Sequence, residues 1–131
     1  MARKVVLAGA CRTAIGVMGG QFANTSAVEL GTIVIKEALK RAGVSPDQVD
    51  EVYMGNVIQA GNGQNPARQA AVYAGIPNEV PATTINVLCG SGLHCVNLAA
   101  KLIAAGDADI IVAGGMENMT MAPYMLRNGR Y

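Results

Sequence analysis

Residues 84–93 constrain the fold of this chain more than any other stretch, because they join a predicted strand to a predicted helix through a glycine-flanked turn. High strand propensity precedes the turn at Thr83, Thr84, Ile85 and Val87. The turn itself, Gly90-Ser91-Gly92, permits a sharp change of direction and close packing. The apolar, alanine-rich residues 93–105 then predict a helix. We therefore expect Cys89 to lie at a strand-to-helix junction and to cap the helix.

Cys89 is the candidate nucleophile, because the N-terminus of a helix favours a thiolate over a thiol. Unpaired backbone N–H groups and the positive end of the helix dipole both stabilise the negative charge. The same N–H groups can donate hydrogen bonds to the oxyanion that forms when a thiolate attacks a carbonyl. The arrangement is similar to the nucleophile elbow of hydrolases, with cysteine in place of serine. A buried structural cysteine is the alternative, and these residues by themselves leave both interpretations open.

Three further residues, His94, Cys95 and Arg12, are candidates for a site. His94 and Cys95 suggest a Cys-His dyad or a metal site with Cys89, but residues five apart on a helix point about 140° away from each other. The spacing C-x₄-H-C also matches no common zinc pattern, so we expect packing roles for both residues and no metal. Arg12 is a candidate for binding an internal carboxylate, a partner chain or phosphate, and a structural ion pair is the interpretation we prefer.

Strands and helices are expected to alternate along the chain. Apolar residues predict buried strands at residues 4–10, 49–59 and 108–113, in addition to the strand before Cys89. Ser26 and Glu29 have the spacing of a capping box and predict a helix that ends at Gly43. Asn65 and Pro66 predict the start of a helix that ends at Gly75. The order β-α-β-α-β-α-β predicts a layered α/β domain.

Composition and charge exclude several classes of function. The 131 residues suit one domain. The net charge is +1, with 10 Lys and Arg against 9 Asp and Glu, so a nucleic-acid partner is not expected. The 3 cysteines have no disulfide spacing, which indicates a reducing cytoplasm. Residues 5–10 are too short for a signal peptide or a membrane span, and no other segment is expected to approach that length without charges.

Four segments of the sequence resemble the thiolases, that is, the acetyl-CoA acetyltransferases and 3-ketoacyl-CoA thiolases. The segment Asn86-Val87-Leu88-Cys89-Gly90-Ser91-Gly92 resembles the signature around their acyl-enzyme cysteine. The other three are Arg12-Thr13-Ala14-Ile15-Gly16, Gly63-Gln64-Asn65-Pro66-Ala67-Arg68 and Val112-Ala113-Gly114-Gly115-Met116-Glu117-Asn118-Met119. Together they extend the resemblance over nearly the whole chain.

The resemblance implies an α/β fold, a layered mixed sheet covered by helices like the first half of the thiolase fold. Residues 1–115 would form the N-terminal α/β domain without its last strand, which in the family comes from chain well beyond Tyr131. Residues 116–131 would begin an inserted loop domain. The methionines of this region can line an acyl pocket or pack against the loop domain, and both interpretations stay open for Met116, Met119, Met121 and Met125.

The resemblance also implies a reaction. Cys89 would carry an acetyl-thioester, and a second acetyl-CoA, deprotonated at its methyl group, would attack that thioester to give acetoacetyl-CoA, or the reverse thiolysis would occur. In the family, the base is a second cysteine, which lies in the C-terminal half with the histidine of a G-H-P motif and the asparagine of an N-E-A-F motif. Neither of these two motifs occurs in this sequence. We therefore carry over one catalytic residue, Cys89, with its backbone N–H as part of an oxyanion hole.

Further expectations about the whole protein follow from the same resemblance. Its substrates would be coenzyme A thioesters, namely acetyl-CoA or acetoacetyl-CoA with CoA, and no separate cofactor is expected. The whole protein would be a cytoplasmic homodimer or homotetramer of fatty acid metabolism, without a nucleic-acid or membrane partner. The 131-residue chain alone is expected to be inactive. The alternatives are another condensing enzyme of the superfamily, such as a 3-ketoacyl-ACP synthase or hydroxymethylglutaryl-CoA synthase, or a non-catalytic fragment.

Overall fold

The computed structural model describes residues 3–130 and builds them around a parallel sheet of three strands, in the order β2-β1-β3. The elements in chain order are α1 (Ala27–Ala42), β1 (Glu51–Gly55), α2 (Pro66–Tyr73), β2 (Ala82–Ile85), α3 (Ser91–Ala105) and β3 (Ile111–Gly115). Short 3₁₀ turns lie at Pro46–Gln48 and Met119–Met121. The predicted α/β class is thus confirmed. The ends of the two predicted units at residues 1 and 131 lie outside the described residues.

Helices cover both faces of the sheet, so the domain has three layers. Strand β1 lies in the centre, and its side chains alternate between the two faces. Val52 and Met54 point into the main core, which α1 and α2 close from one side. Helix α3 packs on the other face, against β1 and β3. The main core consists of small and aliphatic side chains, chiefly Val28, Ile35, Leu39, Val52, Met54, Ala67, Ala70, Ala71, Ile76 and Met116.

The two helices before the cysteine begin where their capping residues predict. The Ser26 hydroxyl accepts from the Glu29 amide at 3.1 Å, and the Glu29 carboxylate accepts from the Ser26 amide at 2.7 Å, which completes the capping box of α1. Gly43 ends α1 with a φ of 67°, a conformation that favours glycine. Asn65 caps α2 by accepting from the Arg68 amide at 3.2 Å. These local predictions are confirmed.

The predicted strand at residues 4–10 is wrong for this structure. The segment has no regular secondary structure and no strand partner among residues 3–130, and Leu7 is 79% exposed. It lies along α1 instead, where Arg41 donates to the Ala10 carbonyl at 3.1 Å and the Cys11 thiol donates to the Val34 carbonyl at 3.3 Å. An apolar run becomes a strand only when a neighbour completes its hydrogen bonds. The apolar residues of this segment therefore predicted burial, which packing within residues 3–130 does not provide.

The other strands are present but have different bounds from those predicted. Residues 49–59 were expected to be one strand, whereas β1 stops at Gly55 because the polar loop that follows is bonded elsewhere. Residues 108–113 were expected to form a strand, whereas β3 begins at Ile111. Just before it, the Asp50 carboxylate accepts from the amides of Asp109 and Ile110, at 2.7 and 2.8 Å. The Asp50 amide also donates to the Ile110 carbonyl at 2.9 Å, so the side chain adds to a backbone hydrogen bond at this end of the sheet.

The mixed character expected of the sheet requires at least one antiparallel strand. All the strand pairs formed within residues 3–130 are parallel, β1 with β2 and β1 with β3. The position of β3 at the end of the order β2-β1-β3 leaves one of its edges without a strand in the described part of the chain.

One segment of the described chain, Leu88–Ala105, is long and apolar enough to cross a membrane by length and composition alone, with a mean hydropathy of 1.3. The sequence analysis expected no segment of this length without charges, and because this segment includes the charged Lys101, that expectation is not contradicted. Its helical part, α3, has 15 residues and is about 22 Å long, whereas a bilayer core is about 30 Å thick. Helix α3 also packs against β1 and β3.

Glycines at the ends of β1 and β3 let the first turn of α3 approach the sheet closely. A Cβ placed on Gly55 would lie 2.6 Å from the Ser91 Cβ and 2.9 Å from the Gly92 nitrogen. A Cβ on Gly115 would lie 3.4 Å from the Gly92 Cα. The start of α3 therefore lies directly on the backbone at the carboxyl ends of these strands. This contact fixes the position of Cys89, which lies two residues before the helix.

Substitution of Gly55 tests this contact. Gly55→Ala should lower the free energy of unfolding by about 1–3 kcal/mol, because the added methyl group meets backbone atoms of α3 that cannot move without shifting the helix. Gly92→Ala is the matched control, since a Cβ there meets its nearest neighbours at 3.8 Å. It should be neutral or stabilising by up to about 1 kcal/mol, because alanine favours a helix. Urea unfolding measures both, and equal effects of the two substitutions would contradict the close-contact explanation.

Candidate active site

Cys89 lies between β2 and α3, as predicted, although the cap of the helix is Gly90 and not the cysteine. The prediction that Cys89 caps the helix is thus wrong by one residue. The turn is made by Leu88, which has a φ of 57° although it is not glycine. Such a conformation costs about 1–3 kcal/mol and persists only where the surroundings hold it. Here the Asn86 side-chain oxygen accepts from the Leu88 amide at 3.1 Å.

The buried Ser91 side chain stabilises the turn through hydrogen bonds. Its side chain is 4% exposed, and its hydroxyl accepts from the Val87 amide at 2.9 Å and donates to the Leu88 carbonyl at 2.6 Å. The Ser91 amide donates to the same carbonyl at 3.0 Å. A buried hydroxyl therefore satisfies the backbone on both sides of the strained residue. Asn86 and Ser91 together hold the junction so that Cys89 faces solvent.

Backbone N–H groups remain available at the start of α3. Gly90 offers no side-chain cap, and within residues 3–130 the amides of Gly92 and Leu93 have no hydrogen-bond partner. Unpaired amides and the positive end of the helix dipole stabilise an anion at this position. The junction can thus stabilise negative charge, of the kind carried by a thiolate or a carbonyl oxyanion.

The three cysteines have different environments. Cys89 is exposed, Cys11 is half-buried, and Cys95 is 0% exposed in the packing between α3 and the sheet. Burial raises the pKa of the Cys95 thiol from 9.0 to about 11, because the charged form loses water. Cys95 is thus a core residue, as predicted. Only Cys89 combines exposure with a helix start.

The other candidate site residues form no hydrogen bond with Cys89 within residues 3–130. The His94 side chain is exposed, and no hydrogen bond joins it to Cys89 in the described chain. Within residues 3–130 no three His, Cys, Asp or Glu side chains lie close enough to share a metal ion. Arg12 is exposed and forms no ion pair with a residue in this range, so the predicted structural pair is not observed. Arg3 pairs with Asp109, and Arg41 pairs with Glu37.

Three polar residues that sequence reasoning did not select lie directly beyond the carboxyl ends of the strands. Asn56 follows β1, Asn86 follows β2, and Glu117 comes two residues after β3. Asn56 is 1% exposed and donates to Glu117 at 2.9 Å and to the Met116 carbonyl at 3.1 Å. The carboxyl ends of parallel strands meet at one edge of a sheet. The recurrence of a polar residue at that place after each strand was the available signal.

The segment after β3 serves mainly to hold neighbouring loops. Asn118 donates to the carbonyls of Phe22 and Thr25, at 2.7 and 2.6 Å, and thereby fixes the loop before α1. Met116 belongs to the main core, whereas Met119, Met121 and Met125 are exposed. A cavity of about 390 Å³ lies between the start of α1 and α2 and is lined in part by Met121, but Cys89 does not line it.

The structure is a layered α/β domain in which an exposed thiol lies at a strained strand-to-helix turn. Residues 5–130 match the family described as thiolase, N-terminal domain. The chain belongs to the thiolase family, and the resemblance of its four segments is confirmed.

The chain is similar to several acetyl-CoA acetyltransferases. It is 58% identical to the one from Syntrophomonas wolfei over 131 residues, which are 100% of this chain and 33% of that protein. It is 61% identical to the one from Cupriavidus necator over 126 residues, which are 96% of this chain and 32% of that protein. The one from Chromobacterium violaceum is 54% identical over 127 residues, 97% of this chain and 32% of that protein. The chain thus spans about a third of the length of these curated relatives.

The environments of the three cysteines predict their order of reaction with iodoacetamide. Cys89 should react first because it is exposed beside unpaired helix amides, Cys11 should react more slowly, and Cys95 should stay protected in the folded protein. Peptide mapping by mass spectrometry after brief labelling measures all three in one sample. Cys95 labelled in urea provides the control for its intrinsic reactivity. Labelling of Cys11 before Cys89 would contradict the assignment of Cys89 as the reactive thiol.

The buried Cys95 thiol predicts a loss of stability in alkali. Its pKa is about 11 when folded and 9.0 when exposed, so the unfolded chain releases this proton first as the pH rises. The contribution is complete below about pH 9 and is lost between about pH 9 and pH 11, at ~1.4 kcal/mol per pH unit. Urea unfolding at several pH values should show this slope reduced in Cys95→Ala. Because Tyr53 also titrates late but is present in both proteins, an identical slope in the variant would exclude Cys95 as the cause.

Proposed function

We propose that the whole protein is an acetyl-CoA acetyltransferase that condenses two acetyl-CoA molecules to acetoacetyl-CoA, or catalyses the reverse thiolysis, through an acyl-thioester on Cys89. The observation that carries this proposal is the presentation of Cys89 at the start of α3, exposed and next to unpaired amides. Membership of the thiolase family and the names of the relatives support the choice of reaction.

The first half of the proposed reaction transfers the acetyl group to the enzyme. The Cys89 sulfur attacks the carbonyl carbon of acetyl-CoA, a new carbon–sulfur bond forms, and the bond to the coenzyme A sulfur breaks. Coenzyme A leaves as a thiolate that takes up a proton. The negative charge that develops on the carbonyl oxygen in between needs hydrogen-bond donors, which the start of α3 can provide.

The second half forms the carbon–carbon bond. A base removes a proton from the methyl group of a second acetyl-CoA, and the carbanion attacks the carbonyl carbon of the acyl-Cys89 thioester. The bond to the Cys89 sulfur breaks, acetoacetyl-CoA leaves, and the thiolate is regenerated. We assign no base among these residues, because Cys95 is buried and Cys11 is hydrogen-bonded to α1. In this proposal the base comes from the part of the protein that these residues do not include.

The rest of the proposal concerns the whole protein. Its substrates are coenzyme A thioesters, and the reaction as written needs no resident cofactor or metal. We propose a cytoplasmic homodimer or homotetramer without nucleic-acid or membrane partners. Residues 1–115 would form the α/β domain, and residues 116–131 would begin the loop domain, whose entry the exposed Met119 and Met125 would mark. The names of the relatives favour this reaction over that of other condensing enzymes of the superfamily.

A non-catalytic role for the 131-residue chain by itself is favoured by one observation, its coverage of about a third of each relative. The catalytic components that this proposal assigns to its residues are one nucleophile and part of an oxyanion hole. General acid–base catalysis contributes roughly 10²- to 10⁴-fold, and one oxyanion donor contributes on the order of 10²- to 10³-fold. Losing several such contributions should leave condensation and thiolysis by this chain alone near background.

Acetylation and turnover test the proposal together. The 131-residue chain incubated with acetyl-CoA should acquire slowly an acetyl group at Cys89, seen by mass spectrometry as a hydroxylamine-sensitive adduct, without forming acetoacetyl-CoA. In the whole protein, Cys89→Ala should abolish turnover, whereas the matched Cys11→Ala should keep it. Retention of turnover in Cys89→Ala would overturn the assignment of the nucleophile. Ordinary turnover by the 131-residue chain would show that the base lies within it.

A further inference from the structure

The Glu117 carboxylate holds the loop that follows β1. Its Oε2 accepts from the Val57 amide at 2.7 Å, and its Oε1 accepts from the Ile58 amide at 3.3 Å and from the Asn56 side chain at 2.9 Å. The two backbone amides belong to residues just beyond the strand, which have no ladder to pair with. One half-buried carboxylate therefore satisfies three donors of a single turn.

The same loop supports the residue that orients the turn before Cys89. The Val57 carbonyl accepts from the Asn86 side-chain nitrogen at 3.2 Å, which fixes the amide group of Asn86. Its oxygen is thereby directed to the Leu88 amide, at 3.1 Å. The contacts form a continuous series, in which the two backbone polar groups of Val57 bond to Glu117 on one side and Asn86 on the other.

The series ends at the strained residue of the junction. Leu88 has a φ of 57°, a conformation that a leucine keeps only when its surroundings hold it. Ser91 bonds to the Leu88 carbonyl, but the bond to the Leu88 amide comes from Asn86. If Asn86 turns away, the Leu88 amide loses its partner and the strained turn loses one of its supports. Cys89, the next residue, then moves relative to the unpaired amides of α3.

We propose that Glu117 is a positioning residue for the Cys89 thiol, acting through Val57 and Asn86 on the turn at Leu88. This inference rests on the proposed role of Cys89 as nucleophile. A carboxylate suits the task because it has acceptors only, whereas an amide in its place would direct an NH₂ group towards one of the donors. Glu117 itself does not react in this proposal.

The chain contains a matched control for a carboxylate that caps backbone amides. Asp50 accepts from the amides of Asp109 and Ile110, at 2.7 and 2.8 Å, just before β1 and β3 begin. That place is the opposite end of the parallel sheet from Cys89. Asp50→Asn and Glu117→Gln therefore make the same chemical change to the same kind of contact, at opposite ends of the strands.

The experiment measures the rate of alkylation of each cysteine by iodoacetamide in the 131-residue chain at neutral pH. In Glu117→Gln the rate at Cys89 should fall about tenfold, because a small displacement moves the thiol away from the helix amides. Asp50→Asn should leave the Cys89 rate within about twofold of wild type. Cys95 should stay protected in both variants, which shows that the fold has not opened.

Asn86→Asp keeps the oxygen that accepts from the Leu88 amide but removes the donor to the Val57 carbonyl, so it interrupts the series at one bond. It should lower the Cys89 rate as Glu117→Gln does, and Glu117→Asp should restore part of the rate. An unchanged Cys89 rate in both Glu117→Gln and Asn86→Asp would overturn the inference alone. If Glu117→Gln exposes Cys95 to labelling, Asn86→Asp decides the outcome. A wild-type Cys89 no faster than Cys11 would overturn the proposed nucleophile, and this inference with it.

Discussion

The contact between the end of β1 and the first turn of α3 determines where every other part of the site can lie. Because Gly55 has no side chain, Ser91 and Gly92 rest on the strand backbone, and a Cβ at Gly55 would lie 2.6 Å from the Ser91 Cβ. The helix therefore begins directly above the carboxyl ends of the strands. The chain must therefore reverse direction within a few residues around Cys89, and Leu88 adopts the positive φ that this turn requires. The backbone strain at Leu88 thus follows from the close packing of α3 on Gly55.

Polar side chains compensate for the backbone groups that the short strands leave unpaired. The strands end early, and the loops beyond them have amides that would be costly to bury without partners. Glu117 and Asn56 satisfy donors and acceptors between the loops after β1 and β3, and Asn86 does so between the loops after β1 and β2. Asp50 serves the same purpose at the other end of the sheet. These hydrogen bonds hold the loops around Cys89 in place.

The two faces of the domain differ in how completely they are covered. The face beneath α1 and α2 is closed by a continuous core, whereas apolar side chains on or near α3 are exposed, among them Val87, Leu88 and Leu93. Residues 4–10 also expose Val6 and Leu7. Exposed apolar surface of this kind is usually covered by more protein. The chain covers about a third of its relatives, and Cys89 is exposed beside these apolar residues.

The sequence by itself determined the features whose signals lie within a few residues of one another. The capping box of α1, the Asn65 cap of α2, the left-handed Gly43 and the cysteine at a strand-to-helix junction were all readable, because their partners are local. Tertiary structure decided which apolar runs pair as strands, since residues 4–10 look like a strand but have no strand neighbour in the described part of the chain. It also brought Glu117 to Val57, which are 60 residues apart. A side chain's partner so far along the chain is set by how the strands align, and a local pattern does not contain that information.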